Sequence, residues 1–327
     1  MRKILLLIAA ITSLSAQAQS VTIPDANFKA YLVGNTAINT NADTEIQVAE
    51  ASAFSGTIDC SNMSISNLTG IEAFTALTDL RCYNNTLVSL NVSQNVNLTY
   101  LSCLSNSIPT LDVSNNTSLE ILFCRDNALT VLDVSNNTQL THLDCSTNGI
   151  TAIDLSNNAL LQLFHPRNNF FTALDLSNNP ALWNFDGANN LLTALNVANG
   201  NNTNVTSFFA DNNPNLTCIE VDDVAYSTTN WTNIDASASY STNCSSVGIN
   251  EISDAAIEIY PNPSSSQITI NTTDQIQAIR IIDLTGKTVR TVTQNTRKID
   301  VSRLPKGLYV LQLTTANGIV NSRFVKE

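Results

Sequence analysis

Asp144, His165 and Asp186 recur at steps of 21 residues, and they are the first side chains in this sequence whose types could do chemistry. Two carboxylates beside an imidazole can polarise a proton transfer or hold a metal ion. If each step of 21 returns the chain to the next of a set of parallel strands, neighbours in this file lie ~4.8 Å apart. His142 falls one file away, and the chain contains only these two histidines. Ser146 is the one hydroxyl placed to act as a paired nucleophile, and an open sheet does not exclude water. A hydrolase built on Asp144, His165 and Asp186 is therefore the alternative reading, and an interface that binds a partner is the reading favoured.

The same files carry most of the large outward-facing side chains. Along them stand Arg81, Phe123 and Phe209 with Asp144, His165 and Asp186, then Tyr100 and His142 on one side, and Tyr83, Arg125 and Arg167 on the other. Aromatic residues and arginine are the types enriched at interface hot spots, so these eleven residues form the candidate ligand-binding face. The plainer reading is a solvated sheet, since single exposed aromatics are ordinary.

A positioning element for these files is written into the sequence. Asn85, Asn106, Asn127, Asn148, Asn169 and Asn190 follow at steps of 21, and Asn213 after a step of 23. The residue five before each is Leu80, Leu101, Leu122 and Leu143, then Phe164, Phe185 and Phe208. Alternation along a short strand turns that residue inward, together with Cys82, Cys103, Cys124 and Cys145 two places later. An inward Asn offers an amide that can satisfy loop backbone between coils. A second phase repeats Leu111-Asp112-Val113-Ser114, Leu132-Asp133-Val134-Ser135 and Ile153-Asp154-Leu155-Ser156. The pattern L-x-x-L-x-(L/C)-x-x-N at a period of 20 to 29 resembles the leucine-rich repeats of bacterial internalins. That resemblance implies an α/β-type repeat solenoid, a parallel-sheet horseshoe whose concave face carries the files, and it supplies no ligand.

Asn39-Thr40-Asn41-Ala42-Asp43-Thr44-Glu45-Ile46-Gln47-Val48-Ala49-Glu50 is similar to an EF-hand calcium loop. Oxygen-bearing side chains stand at the first, third and fifth places, and Glu at the twelfth, which in that family grips the ion with both oxygens. The resemblance implies a Ca2+ site made by Asn39, Asn41, Asp43, Glu45 and Glu50. Two departures weaken it: Asn39 replaces the usual Asp, and Thr44 replaces the Gly of the sharp turn. The other reading is a polar loop capping a helix through Asp43 or Thr44.

Compartment follows from the ends and the charges. Arg2 and Lys3 precede an apolar run, Ile4 to Leu14, too short to span a bilayer, and Ala16-Gln17-Ala18 supplies small residues for cleavage. Residues 1–19 thus read as a secretory signal peptide, with no transmembrane segment in the mature form. From Ser20 to Cys244 there are 20 acidic and 4 basic residues, whereas Ser245 to Glu327 holds 7 acidic and 9 basic. Two charge regimes suggest two domains, and so acidic a first domain excludes nucleic acid as a partner. Of seven cysteines, Cys218 and Cys244 lie outside the inward file and are the expected disulfide. The file itself, with Cys60, reads as free buried thiols.

Residues 20–57 lack the repeat. Asp25 can cap a helix bearing Phe28, Tyr31 and Leu32 and ending at Gly34, with a second helix over Ile46 to Phe54 whose apolar residues are Ile46, Ala49 and Ala53. This helical cap would cover the first coil of the repeats, 58–216, and 217–244 would cap the last. After a linker, 245–253, short alternating runs separated by turn signals predict a small all-β sandwich over 254–327.

That tail carries Tyr260-Pro261-Asn262-Pro263, Ile282-Asp283-Leu284-Thr285-Gly286-Lys287, Leu304-Pro305-Lys306-Gly307-Leu308-Tyr309-Val310 and a final Phe324-Val325-Lys326-Glu327. In this order the boxes resemble the C-terminal sorting domain of type IX (Por) secretion substrates. The resemblance implies passage through the periplasm to the cell surface or beyond, and recognition by the type IX machinery. Expected overall is an exported protein that binds a protein or a glycan, with a purely structural surface or matrix component as a further alternative.

Overall fold

The computed structural model describes residues 19–244, 258–272, 275–283, 287–293, 296–315 and 318–327. The expected signal peptide up to Ala18, the linker and the Leu284-Thr285-Gly286 turn lie outside the described residues. Two compact units divide between Thr242 and Asn243.

In the first unit the 21-residue step becomes one coil of a parallel solenoid. Short strands at Thr57–Asp59, Asp79–Arg81, Tyr100–Ser102, Ile121–Phe123, His142–Asp144, Leu163–His165, Asn184–Asp186, Ser207–Ala210 and Asn233–Ile234 form one nine-stranded sheet. Pairing is in register, so Leu80, Leu101, Leu122, Leu143, Phe164 and Phe185 face one another along the core. The last strand lies beyond the repeats, so the segment after Leu216 adds a further turn of solenoid before it closes the end. On the other side Ala173–Asp175, Ala194–Asn196, Cys218–Glu220 and Ser239–Ser241 make a second, four-stranded parallel sheet.

After each of the seven strands of the nine-stranded sheet from Asp79–Arg81 to Ser207–Ala210 the chain turns through a residue with left-handed backbone: Asn84, Ser105, Asp126, Thr147, Asn168, Asn189 and Asn212 all have φ between 50° and 57°. The asparagine that follows holds the turn. Asn127 Nδ2 donates to the carbonyls of Cys103 (3.0 Å) and Cys124 (3.1 Å), and its Oδ1 accepts from Ile108 N (3.0 Å). Its counterparts do the same in successive coils, which satisfies buried backbone that no strand partner reaches. A second asparagine ladder, Asn95, Asn116, Asn137, Asn158 and Asn179, is wholly buried on the opposite turn. There Nδ2 again bridges two carbonyls, as at Asn137 to Val113 (3.0 Å) and Asn116 (2.8 Å), but the five Oδ1 atoms have no protein donor.

The core changes character along its length. Through the first coils it pairs the strand leucine with Cys82, Cys103, Cys124 or Cys145. Where the leucine becomes Phe164, Phe185 and Phe208, the cysteine place is taken by Pro166, Gly187 and Ala210. At Gly187 the ring fills the space a side chain would take, since a Cβ there would sit 2.4 Å from Phe185 Cζ. Ring centroids then run from Phe164 to Phe185 (6.1 Å) to Phe208 (5.3 Å) and end on Trp231, stacked at 4.3 Å. Trp231 Nε1 donates to Val205 O at 2.8 Å, so the buried indole leaves no polar atom unsatisfied.

At the other end helix α1, Ala26–Gly34, is capped by Asp25, which accepts from the Asn27 and Phe28 amides, and it buries Phe28 and Leu32. Tyr31 Oη accepts from Asp59 N at 2.9 Å, which ties the helix to the first strand. Helix α2, Val48–Ala53, corrects the expected face: Ala51 is buried while Ala49 and Ala53 are exposed, because Ile46 enters the core from the strand-like residue before the helix. At the far end helix α3, Val224–Asn230, is capped by Asp223. Five cysteines are free and buried, and Cys218 and Cys244, the two that remain of seven, are disulfide-bonded.

The second unit is a pair of antiparallel sheets. Glu258–Tyr260, Gln267–Asn271 and Lys298–Asp300 make three strands; Ile276–Asp283, Thr288–Val292, Gly307–Thr315 and Gly318–Lys326 make four. Ile268, Ile279, Ile281, Leu311, Leu313 and Phe324 form its core. The Tyr-Pro-Asn-Pro box clamps the last strand: Asn262 donates to Arg323 O (3.1 Å) and accepts from Val325 N (2.9 Å).

Candidate ligand-binding face

Two of the three files run along the paired strands, and the third continues just past them, where Ser105 N donates to Arg125 O and Thr147 N to Arg167 O. Arg81, Ser102, Phe123, Asp144 and His165 pair strand to strand, as do Asp186 and Phe209, and Asp79, Tyr100, Ile121, His142, Leu163 and Asn184 pair beside them. Most of these side chains are half-buried and open to solvent, but Ser102 and Ala188, which also fall on outward places, are buried.

Closeness does not make Asp144, His165 and Asp186 a relay. His165 Nε2 meets Asn184 Oδ1 at 3.1 Å, not a carboxylate. Asp144 accepts from Ser146 N (3.1 Å) and Ser146 Oγ (2.6 Å), so the one candidate nucleophile gives its proton to an acid and not to an imidazole. Asp186 accepts from Arg167 Nη1 (3.2 Å) and Ala188 N (3.2 Å). His142 lies against Thr141 Oγ1 at 2.9 Å, and burial, with the charge of His165 second, lowers its pKa, which favours a neutral ring. The signal that sequence reading missed was Asn184, one file over, where an amide captures the ring that the carboxylates were expected to share.

The best-built part of the face lies toward the first coils. Asp79 grips Arg81 with both oxygens, to Nε (3.1 Å) and Nη2 (2.8 Å). That holds the guanidinium 4.8 Å over the Tyr100 ring, and Tyr100 meets Phe123 edge to face at 5.9 Å. Cation–π and aromatic pairs of this kind each contribute ~0.5–1.5 kcal/mol. Tyr83 and Phe209 are half-buried on the same face, and Arg125 is exposed.

The loop expected to take calcium is closed on itself. Glu50 Oε1 accepts from Thr40 N, Thr40 Oγ1 and Asn41 N, and its Oε2 accepts from Gln47 N at 3.0 Å. Gln47 and Glu50 thus make a capping box at the start of α2, a role the sequence reading gave to Asp43 or Thr44. Burial works against the Glu50 charge, but these donors outweigh it and hold its pKa below the usual range. Asp43 receives Glu45 N, Asn41 and Gln47, and Glu45 pairs with Lys29 at 2.6 Å. Asn39, buried, donates to Val33 O and Asp43 O and keeps one oxygen without a partner. Among the described residues no group of three or more His, Cys, Asp or Glu side chains could hold a metal ion. An ion would have to take Glu50 from the helix and Glu45 from Lys29, so the arrangement does not fit calcium as it stands. A cavity of ≈ 510 Å³ beside it, lined by Ala37, Thr40, Glu50 and Phe54, is far in sequence from the acid–histidine file.

Elsewhere the reactive types are quiet. Asp112, Asp133, Asp154 and Asp175 each accept the amide of the serine two residues on (2.9, 2.9, 2.9 and 3.0 Å). Their donors belong to their own coil, not the neighbouring one. Burial pushes the thiols of Cys60 and Cys103 up to about 12, and those of Cys82, Cys124 and Cys145 up as well.

Comparison with known proteins bears out both architectural expectations. Residues 258–327 match the secretion system C-terminal sorting domain of Por type. The tail is that domain, and the protein is a secreted or cell-surface one. An internalin C2 from Listeria monocytogenes, 20% identical, is similar over 68% of this chain and 98% of its own, with a TM-score of 0.50. An internalin InlF of the same organism is 18% identical over 70% of this chain and 74% of its own, with a TM-score of 0.46. The functional domain of Listeria InlJ, described as including a cysteine ladder, is 20% identical over 95% of this chain and all of its own, with a TM-score of 0.30. No curated protein matches the sequence. The first unit is thus an internalin-like leucine-rich repeat solenoid, a likeness of fold alone.

Proposed function

We propose that this exported protein binds a macromolecular partner, a protein or a glycan, on the outward face of the nine-stranded sheet. The observation that supports the reading is the cluster of Arg81, Tyr100 and Phe123, held in register on three adjacent strands and open to solvent. Side chains of these types, fixed by neighbours, lose little freedom when a partner docks. The tail supplies the address: it directs export by the type IX machinery, which reads it at the outer membrane and removes it.

The test uses the protein from Ser20 onward, presented to cells and to extracellular glycans. Phe123→Ala, His165→Ala and Arg167→Ala should each weaken binding, with hot-spot losses of ~2 kcal/mol or more. Asn115→Ala and Thr138→Ala, on turns away from this face, should not. Binding abolished by the second pair and untouched by the first three would overturn the assignment of the face.

A further inference from the structure

Between Ser20 and Cys244 there are four basic side chains, Lys29, Arg81, Arg125 and Arg167, against 20 acidic ones. All three arginines lie on the candidate ligand-binding face, and both histidines lie there too. Lys29 is paired with Glu45, Arg81 with Asp79 and Arg167 with Asp186. Arg125 alone has no carboxylate partner among the described residues, and it is exposed. Its backbone is nevertheless fixed, since its carbonyl accepts from Ser105 N (3.0 Å) and Asn127 Nδ2 (3.3 Å). The nearest acid in sequence, Asp126, is engaged by Ser105 Oγ at 2.9 Å.

Resting on the binding reading above, we infer that Arg125 is the anchor for a single carboxylate on a polypeptide partner, with an apolar side chain of that partner seated beside it on Phe123. The chemistry of the surroundings selects this ligand. A polyanion would be repelled by the surplus of acids over the rest of the unit, whereas one carboxylate meets one free guanidinium, which can take it through two parallel hydrogen bonds. Phe123 and Arg125 stand two residues apart on one face, a repeat of ~6.8 Å, which equals the spacing of alternate side chains in an extended peptide. Leu104, half-buried next to Arg125, extends the apolar floor. A sugar ring cannot stack on Tyr100 where the Arg81 guanidinium already lies over it, and the neutral hydroxyls of most sugars offer Arg125 no charge to pair with.

The probes are three otherwise identical labelled peptides in a Ser/Gly background, with Leu placed two residues from Glu, from Gln or from Lys. Fluorescence polarisation is measured with the protein from Ser20 to Glu327 and with its Arg125→Gln and Phe123→Ala variants. The Glu peptide should bind at least tenfold more tightly than the Gln peptide, and the Lys peptide most weakly. Arg125→Gln should abolish the Glu preference without lowering the melting temperature, whereas Phe123→Ala should weaken the Glu and Gln peptides alike. Equal, Phe123-dependent binding of Glu and Gln peptides would overturn the anchor and leave the face intact. Binding that ignores both substitutions, or no binding of any peptide, would overturn the inference. Arg125-dependent capture of oligogalacturonate with no peptide bound would overturn the choice of a polypeptide.

Discussion

Gly187→Ala should destabilise the solenoid far more than a single added methyl does at an ordinary buried glycine. The new Cβ would lie 2.4 Å from Phe185 Cζ and 2.9 Å from Cε1. Carbon pairs settle at about 3.5–4.0 Å, so the ring must retreat by roughly 1 Å. It has nowhere to go: Phe185 is fully buried between Phe164 and Phe208, at 6.1 and 5.3 Å. Overpacking of this kind costs about 1–3 kcal/mol. Phe185→Leu restores the side chain of earlier coils, where a cysteine fits at the place of Gly187. In the double variant the shorter leucine side chain should therefore make room for the methyl and recover most of the loss, a coupling of about 0.5–3 kcal/mol. Both tryptophans of the chain, Trp183 and Trp231, are in this unit, so tryptophan fluorescence, excited selectively over tyrosine, reports on it alone during urea unfolding. A double variant as unstable as the sum of the two singles, or a silent Gly187→Ala, would refute the volume exchange.

Cys218→Ser should cost ~2–5 kcal/mol by releasing the last coil, while Cys103→Ala leaves the disulfide count at one, as mass spectrometry of the unreduced protein would read. Glu50→Gln should lower the melting temperature by weakening the capping box, a loss of about 1 kcal/mol, and millimolar calcium should not stabilise the parent protein. A rise of several degrees with calcium would show that the loop re-forms around the ion. Acid should unfold the solenoid from the carboxylate side. Hydrogen bonds from Ser114, Ser135 and Ser156 hold Asp112, Asp133 and Asp154 below their ordinary range, so the unfolded chain takes up protons first. Their stabilisation is present above about pH 4 and is lost as pH falls through the lowered values, so an Asp133→Asn variant should have a flatter urea midpoint between about pH 5 and 3. Deleting residues 258–327 should leave the solenoid folded inside the periplasm, and normal surface display of the truncated protein would contradict the role of the tail.

The repeat was legible because its period is strict and its signals are backbone-driven: an inward-turned Asn at every coil, a buried leucine or phenylalanine five residues before it, and left-handed turns between them. Register followed from the period, and with it the files on the outward face. What escaped sequence reading depends on contacts between files or on exact volume. Asn184 takes His165 away from its acidic neighbours through one amide, and spacing does not distinguish an amide that reaches from one that does not. The helix cap went to Gln47 because its partner Glu50 can fold back to the backbone, whereas Asp43 is held by Glu45 N. The change from Leu with Cys to Phe with Gly was visible as two separate substitutions, and only the approach of the Phe185 ring to Gly187 shows that the two places touch.

The ladder of free thiols has a kinetic meaning in an oxidising compartment. Only the thiolate attacks a disulfide or an oxidant, and an ordinary cysteine is about 3% thiolate at pH 7. With burial pushing Cys60 and Cys103 up to about 12, that fraction becomes negligible, before their lack of solvent access is counted. Mispairing is therefore a hazard of the unfinished chain and not of the folded one. Each coil that closes withdraws its own thiol from exchange, while Cys218 and Cys244, outside the ladder, remain to find each other. The stacked coils thus keep five thiols out of exchange, while Cys218 and Cys244 carry the bond.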